Sequence, residues 1–243
     1  MDDFGGSTLP PNAVHVWIAS VAAHAAQESV LLRLLDADEQ AKARRFYFAA
    51  DRAQYIIAHG LLRTVLGQYL ELPPTVLRFD AGQYGKPILR DPPQPLQFNM
   101  SHSGDLIAIA IAYDRPVGID VERWVDVEYD DLSETFFSDL ERSELRSLTA
   151  EQKAAGFFAC WTRKEAYIKA TGFGVSQGLD YFDVSLTPGA PARLVDDRLS
   201  GRPSEWSMHE LVIHAGYSGA LAVRGDDVAI SQRVVAPAAA YLA

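Results

Sequence analysis

Leu106-Ile107-Ala108-Ile109-Ala110-Ile111-Ala112-Tyr113, then Asp114-Arg115-Pro116, then Val117-Gly118-Ile119-Asp120-Val121-Glu122, is the stretch from which the fold is read. Its first eight residues carry no charge, as expected of a strand buried on both faces. Ile and Tyr fill one face, and Ala lines the other, where a helix can pack closely. Asp114-Arg115-Pro116 makes a turn, and Val117 to Glu122 is expected to run back as the partner strand. In it Ile119 and Val121 point one way while Asp120 and Glu122 point the other. Two carboxylates at i, i+2 repel unless something positive lies between them. Either this is the solvent face of an edge strand, the usual setting for a lone Asp-x-Glu, or it is part of a site for a hard divalent cation such as Mg²⁺ or Mn²⁺.

A long helical pattern lies downstream, from about Ala150 to Ala170. Phe157, Phe158, Trp161 and Ile168 recur at helical spacing and mark its core-facing stripe. Glu165 follows Trp161 by four residues and shares that stripe, so its carboxylate needs a partner or a metal. Lys169 lies one turn further on. The two form either an ordinary i, i+4 surface pair or, being in line with Trp161, part of a site. Ser138 with Glu141 and Thr149 with Gln152 read as capping boxes that start two helices, and Gly172-Phe173-Gly174 ends the second.

Upstream, His15 to Ala19 reads as an opening strand. Helical patterns follow at about Ala26 to Leu35, Ala37 to Phe46 and Ala50 to Leu70, the last ending before Pro73-Pro74. Thr75 to Asp80 is expected to be a strand. Gly82-Gln83-Tyr84-Gly85-Lys86-Pro87 is a turn that is either plain or a phosphate contact. Leu96 to Met100 leads into Ser101-His102-Ser103-Gly104. Neighbouring strand residues face opposite ways, so Ser101 and His102 are not a nucleophile and its base, and no Gly-x-Ser-x-Gly elbow surrounds Ser101. Phosphate binding by the hydroxyl and imidazole suits them better. After the long helix come strands at Tyr181 to Leu186, Glu205 to His214 and Gly219 to Val223, with an edge at Val228 to Val235. Each half thus places helices before strands that end in an Ala-rich one, as a duplicated α/β plan would.

Composition narrows the function classes. The chain has 243 residues, is 48% hydrophobic and carries a net charge of −10. Residues 1–115 hold 10 Lys/Arg against 12 Asp/Glu, and residues 116–243 hold 12 against 20. That balance argues against a nucleic-acid binder, while a local basic patch can still hold a phosphorylated small molecule. The single cysteine, Cys160, excludes an internal disulfide and makes a reduced, cytoplasmic setting the default. Six scattered histidines without His-Glu-x-x-His disfavour zinc. No signal peptide or membrane-length apolar run is evident.

Taken in order, Arg44-Arg45-Phe46-Tyr47, Gly85-Lys86-Pro87, Phe98-Asn99-Met100-Ser101-His102-Ser103, Gly118-Ile119-Asp120-Val121-Glu122 and Trp161-Thr162-Arg163-Lys164-Glu165-Ala166-Tyr167-Ile168-Lys169 resemble the Sfp-type 4′-phosphopantetheinyl transferases. The resemblance spans about residues 36–187. It implies an α/β (α+β) fold of two similar halves in pseudo-twofold arrangement, 1–115 and 116–243, with the active site in the cleft between them. It implies Mg²⁺-dependent transfer of 4′-phosphopantetheine from coenzyme A to a serine of an apo acyl or peptidyl carrier protein of fatty-acid, polyketide or nonribosomal peptide assembly, releasing adenosine 3′,5′-bisphosphate. By the same resemblance Asp120, Glu122 and Glu165 hold the metal, Glu165 and Lys169 serve the chemistry, and Gly85, Lys86, Ser101 and His102, with Arg44 and Arg52, hold the nucleotide end of coenzyme A. A cytoplasmic monomer with no membrane or nucleic-acid partner is the expectation. The rivals are a Mg²⁺-dependent nucleotide hydrolase and a coenzyme A-binding module without transfer activity.

Overall fold

The computed structural model describes residues 9–82, 86–172, 178–198 and 201–237. In chain order the elements are β1 (Ala13–Ser20), α1 (Glu28–Leu32), α2 (Ala37–Arg44), α3 (Ala49–Leu70), β2 (Phe79–Ala81), β3 (Pro87–Leu89), β4 (Leu96–Ser103), β5 (Leu106–Tyr113), β6 (Val117–Arg123), α4 (Tyr129–Phe136), α5 (Asp139–Ser147), α6 (Ala150–Thr171), β7 (Phe182–Val184), β8 (Leu194–Asp197), β9 (Trp206–Glu210), β10 (Tyr217–Arg224) and β11 (Ala229–Val234). Two sheets dominate, one with strand order β11-β1-β5-β4 and one with order β6-β10-β9. Each carries one 22-residue helix on its outer face, α3 on the first and α6 on the second.

The buried Ile107, Ile109 and Ile111 pack under α3 with Trp17, Leu61 and Leu66. The alanine face of β5 meets no helix. Ala108, Ala110 and Ala112 lie against Ile119, Val121, Leu221 and Val223 of the second sheet. Small side chains on one sheet face branched ones on the other, so the two interdigitate and close a four-layer stack of helix, sheet, sheet and helix.

β6 is not the ladder partner of β5 either. It pairs antiparallel with β10. Asp114 takes a left-handed conformation (φ 47°), and the Pro116 carbonyl at once accepts from Arg224 N at 3.1 Å, so the chain enters the second sheet from the turn onward. β6 still runs beside the edge strand β4, and there side chains replace the ladder. Ile119 N donates to Asn99 Oδ1 (2.9 Å), Ser101 Oγ to Asp120 Oδ1 (2.8 Å), and Ser103 Oγ to Glu122 Oε2 (2.6 Å), while Arg123 N donates to Ser103 Oγ (3.1 Å).

The last strand, β11, pairs parallel with β1 in the first sheet. The Gln232 amide bonds both backbone groups of Val212, tying the second half to it. Thr75 to Asp80 does not form one strand. A 3-10 turn occupies Pro74–Val76, held by Arg63, whose guanidinium donates to Pro74 O and Leu77 O, and only Phe79–Ala81 is extended. Both expected capping boxes form. No described helix is long and apolar enough to cross a membrane.

Candidate active site

β6 delivers Asp120 and Glu122 to the face of its sheet that α6 covers. At Gly118 strand and helix are in direct contact: a Cβ there would lie 2.1 Å from Ala166 O and 2.3 Å from Ala170 N. This closeness places Lys169, in the last turn of α6, over Asp120. Lys169 Nζ donates to Asp120 Oδ1 at 2.6 Å and to Ser101 Oγ at 3.2 Å. Gly172, with φ 72°, stops the helix one residue after Thr171. A cavity of about 410 Å³ opens beside these groups, and Glu122, Trp161, Glu165 and His102 also line it. Trp161 is fixed edge-on to Phe136 and stacks with Phe157.

The electrostatics follow from burial. Asp120 is 2% exposed, and desolvation pushes its pKa up against the opposing pull of Lys169 and Ser101. Burial likewise raises Glu122, with Asp120 adding to the effect. Glu165 is raised first by burial and then by the charge of Asp120, with Glu122 contributing. Crowded together and buried, the three carboxylates each disfavour ionisation of the others, which a cation placed among them would relieve. His102 is lowered by burial and then by its neighbours His59, Lys169 and Lys42.

Among the described residues no three His, Cys, Asp or Glu side chains stand in an arrangement that would hold a metal ion. The donor chemistry nonetheless fits one. Asp120 Oδ2 is buried without a hydrogen-bond partner, an unmet acceptor next to two more carboxylates and one ammonium, and hard oxygen donors of this kind suit Mg²⁺ or Mn²⁺.

The sequence-expected groups do not all converge. Asp120, Glu122, Glu165, Lys169, Ser101 and His102 share the cavity. The Ser101 hydroxyl is committed to Asp120 and Lys169. Arg44, at the end of α2, and Arg52, in the first turn of α3, are exposed and do not line it. Lys86 does not line it either: its ammonium donates to Lys169 O (2.7 Å) and Val117 O (3.1 Å), and burial lowers its pKa to about 8. Gly85 lies outside the described residues. Sequence reasoning missed Ser103, which holds Glu122. Its i+2 spacing from Ser101 on one strand face was the available signal. It also missed His59; Lys42 is visible in the sequence only as one more basic residue of its helix beside Arg44 and Arg45, and helix packing brings both near His102.

A second, apolar groove of about 280 Å³ adjoins the cavity and shares Glu122 and Trp161 with it. Val125, Val127, Leu132 and Phe157 also line it. Its rim includes the Ser103-Gly104 turn, where Gln54 Nε2 donates to Gly104 O (2.8 Å).

The fold is a mixed α/β one, and its acidic, lysine-bearing cleft lies between β4, β6 and α6. Residues 116–223 match the model of the 4′-phosphopantetheinyl transferase superfamily, and residues 22–113 match that of a 4′-phosphopantetheinyl transferase N-terminal domain. The 4′-phosphopantetheinyl transferase HetI of Nostoc sp. is 40% identical over 221 residues, 90% of each chain. A 4′-phosphopantetheinyl transferase of Bacillus subtilis is 35% identical over 67% of this chain and 71% of its own. Sfp of the same species is 32% identical over 64% and 68%. The chain belongs to the 4′-phosphopantetheinyl transferase superfamily, and it is an enzyme of that kind.

Proposed function

We propose that the enzyme moves 4′-phosphopantetheine from coenzyme A to a serine of an apo acyl or peptidyl carrier protein, releases adenosine 3′,5′-bisphosphate, and works as a cytoplasmic monomer. The observation that carries the assignment is the Asp120–Lys169 contact with Asp120 Oδ2 left unpartnered, in one cavity with Glu122 and Glu165. Asp120, Glu122 and Glu165 are the residues that would hold Mg²⁺, or Mn²⁺ in its place. When bound, such an ion supplies positive charge to the donor's pyrophosphate.

The chain's own groups then have separate tasks. The carrier serine Oγ attacks the β-phosphorus, the bond from that phosphorus to the bridging oxygen breaks, and the electron pair leaves on the nucleotide. Glu165, its basicity raised by burial and by Asp120, takes the serine proton. Lys169 donates to phosphoryl oxygens as charge builds on them, the main demand of such a transfer. Asp120 and Ser101 hold that ammonium in place meanwhile.

The first half receives the nucleotide end. His102, Lys42 and His59 are its nearby cationic or ionisable groups, and the exposed Arg44 and Arg52 add charge further out. The apolar groove next to Trp161 suits the uncharged pantetheine arm, and the second half docks the carrier. The test is product stoichiometry. Adenosine 3′,5′-bisphosphate should appear only with an apo carrier, one per carrier, and not with a carrier whose acceptor serine is replaced by alanine. Equal nucleotide release without carrier would make the enzyme a hydrolase and overturn the assignment.

A further inference from the structure

Lys86 projects from the first half and is partly buried, yet both hydrogen bonds it makes among the described residues go to backbone carbonyls. One acceptor, Lys169 O, belongs to the last turn of α6, where carbonyls lack an intrahelical partner. The neighbouring Ile168 O is served from within the chain's own turn, by Gly172 N at 2.8 Å and Thr171 Oγ1 at 3.1 Å; Lys169 O is served by Lys86 at 2.7 Å. The other acceptor, Val117 O, is the first residue of β6, three positions before Asp120. A single ammonium therefore joins the end of the helix that carries Glu165 and Lys169 to the start of the strand that carries Asp120 and Glu122. It also sits at the negative end of the α6 dipole, where a cation is favoured. An ammonium has three donors, and two are committed here.

We propose that Lys86 is a positioning residue for the transfer reaction, a C-terminal clamp on α6 that sets Lys169 over Asp120, and not a reader of the donor's phosphate. The backbone of Lys169 is held from one side while its side chain reaches the carboxylate from the other. Loss of the clamp frees the last turn and lets the ammonium drift from the reacting phosphoryl group. The proposal rests on the transfer assignment above.

The experiment uses the full-length enzyme with Lys86→Met, which keeps the stem and removes the donors. It measures kcat and KM with coenzyme A and with dephospho-coenzyme A, together with amide hydrogen exchange. The expected result is a kcat lowered on the order of ten- to a hundredfold with both donors, little change in KM, and faster exchange at Ala170 to Gly172 than at the first turns of α6. A KM raised for coenzyme A alone, with kcat kept and dephospho-coenzyme A unaffected, would overturn the proposal in favour of phosphate recognition. A lower melting temperature with kcat per folded molecule unchanged would also overturn it, leaving Lys86 a purely structural residue. If wild type modifies no carrier with either donor, the transfer assignment has failed, an outcome distinct from both.

Discussion

Gly118→Ala isolates the contact on which the site geometry depends. The added methyl would stand 2.1 Å from Ala166 O, 2.3 Å from Ala170 N and 2.9 Å from Ala170 Cα, all backbone atoms of α6. None can rotate away as a flexible side chain would. Relaxing the closest approach to the 3.4 Å of ordinary contact requires α6 and β6 to part by roughly 1.3 Å. Both elements are buried, so the strain costs about 1–3 kcal/mol of stability. A functional loss of similar free energy should accompany it, because the same movement pulls Lys169 from Asp120, now 2.6 Å apart. A displacement near 1 Å at reacting groups lowers rate by on the order of a hundredfold. The assay is a paired one: a urea titration for stability, and initial rates of carrier modification under conditions where the variant is fully folded. A folded variant with undiminished kcat would refute the claim that this strand–helix contact sets the catalytic geometry.

Three further outcomes follow from other parts of the molecule. Lys164 and Glu141 form a 2.8 Å ion pair with both side chains fully buried, Lys164 also donating to Leu179 O and Phe182 O and Glu141 accepting from Ser138 N and Val184 N; Lys164→Met should cost about 3–5 kcal/mol in a urea titration, and adding Glu141→Gln should restore part of it. His15 is buried between the Tyr69 hydroxyl and the Arg233 guanidinium, and burial, with Arg233 second, lowers its pKa from 6.5 to about 4. The unfolded chain therefore takes up this proton first, so the contribution is complete above pH 6.5 and is lost as pH falls towards 4, by about 3 kcal/mol at most; His15→Gln should flatten the fall of the urea midpoint across that window, and an unchanged slope would exclude His15 as its source. Asp120 to Glu144 holds ten carboxylates against two arginines, so attraction of an acidic carrier should be weak and its KM only mildly salt-dependent; a steep rise in KM with salt would reveal a basic docking surface.

The parts of the fold visible in the sequence were those set by local periodicity. The 22 residues of α6, its capping box and its Gly172 stop follow from side-chain spacing and end chemistry, and the i, i+2 placement of Asp120 and Glu122 follows from strand alternation. Partner choice was not visible. Ala108, Ala110 and Ala112 invite a close neighbour without saying whether it is a helix or a sheet, and the three residues before β6 read as a hairpin turn although they carry the chain into the second sheet. In the site, Asp120 and Lys169 could be listed from their motifs, but their contact required Gly118, whose small size has meaning only once α6 lies on it. Lys86 marks the limit most sharply. A lysine after glycine reads as a plain turn or as a phosphate contact, and only tertiary packing reveals the two carbonyls it serves.

Whether the carboxylate–lysine cleft performs the transfer can be read from intact-mass spectrometry of an apo carrier protein. With coenzyme A and Mg²⁺, wild type should convert the carrier to a species heavier by one phosphopantetheine group. Asp120→Asn, which keeps the shape of the side chain and removes its charge, should leave the fold intact and slow that conversion by roughly a thousandfold, or several kcal/mol of barrier. Conversion by the Asp120→Asn variant at the wild-type rate would exclude the Asp120 carboxylate from the transfer.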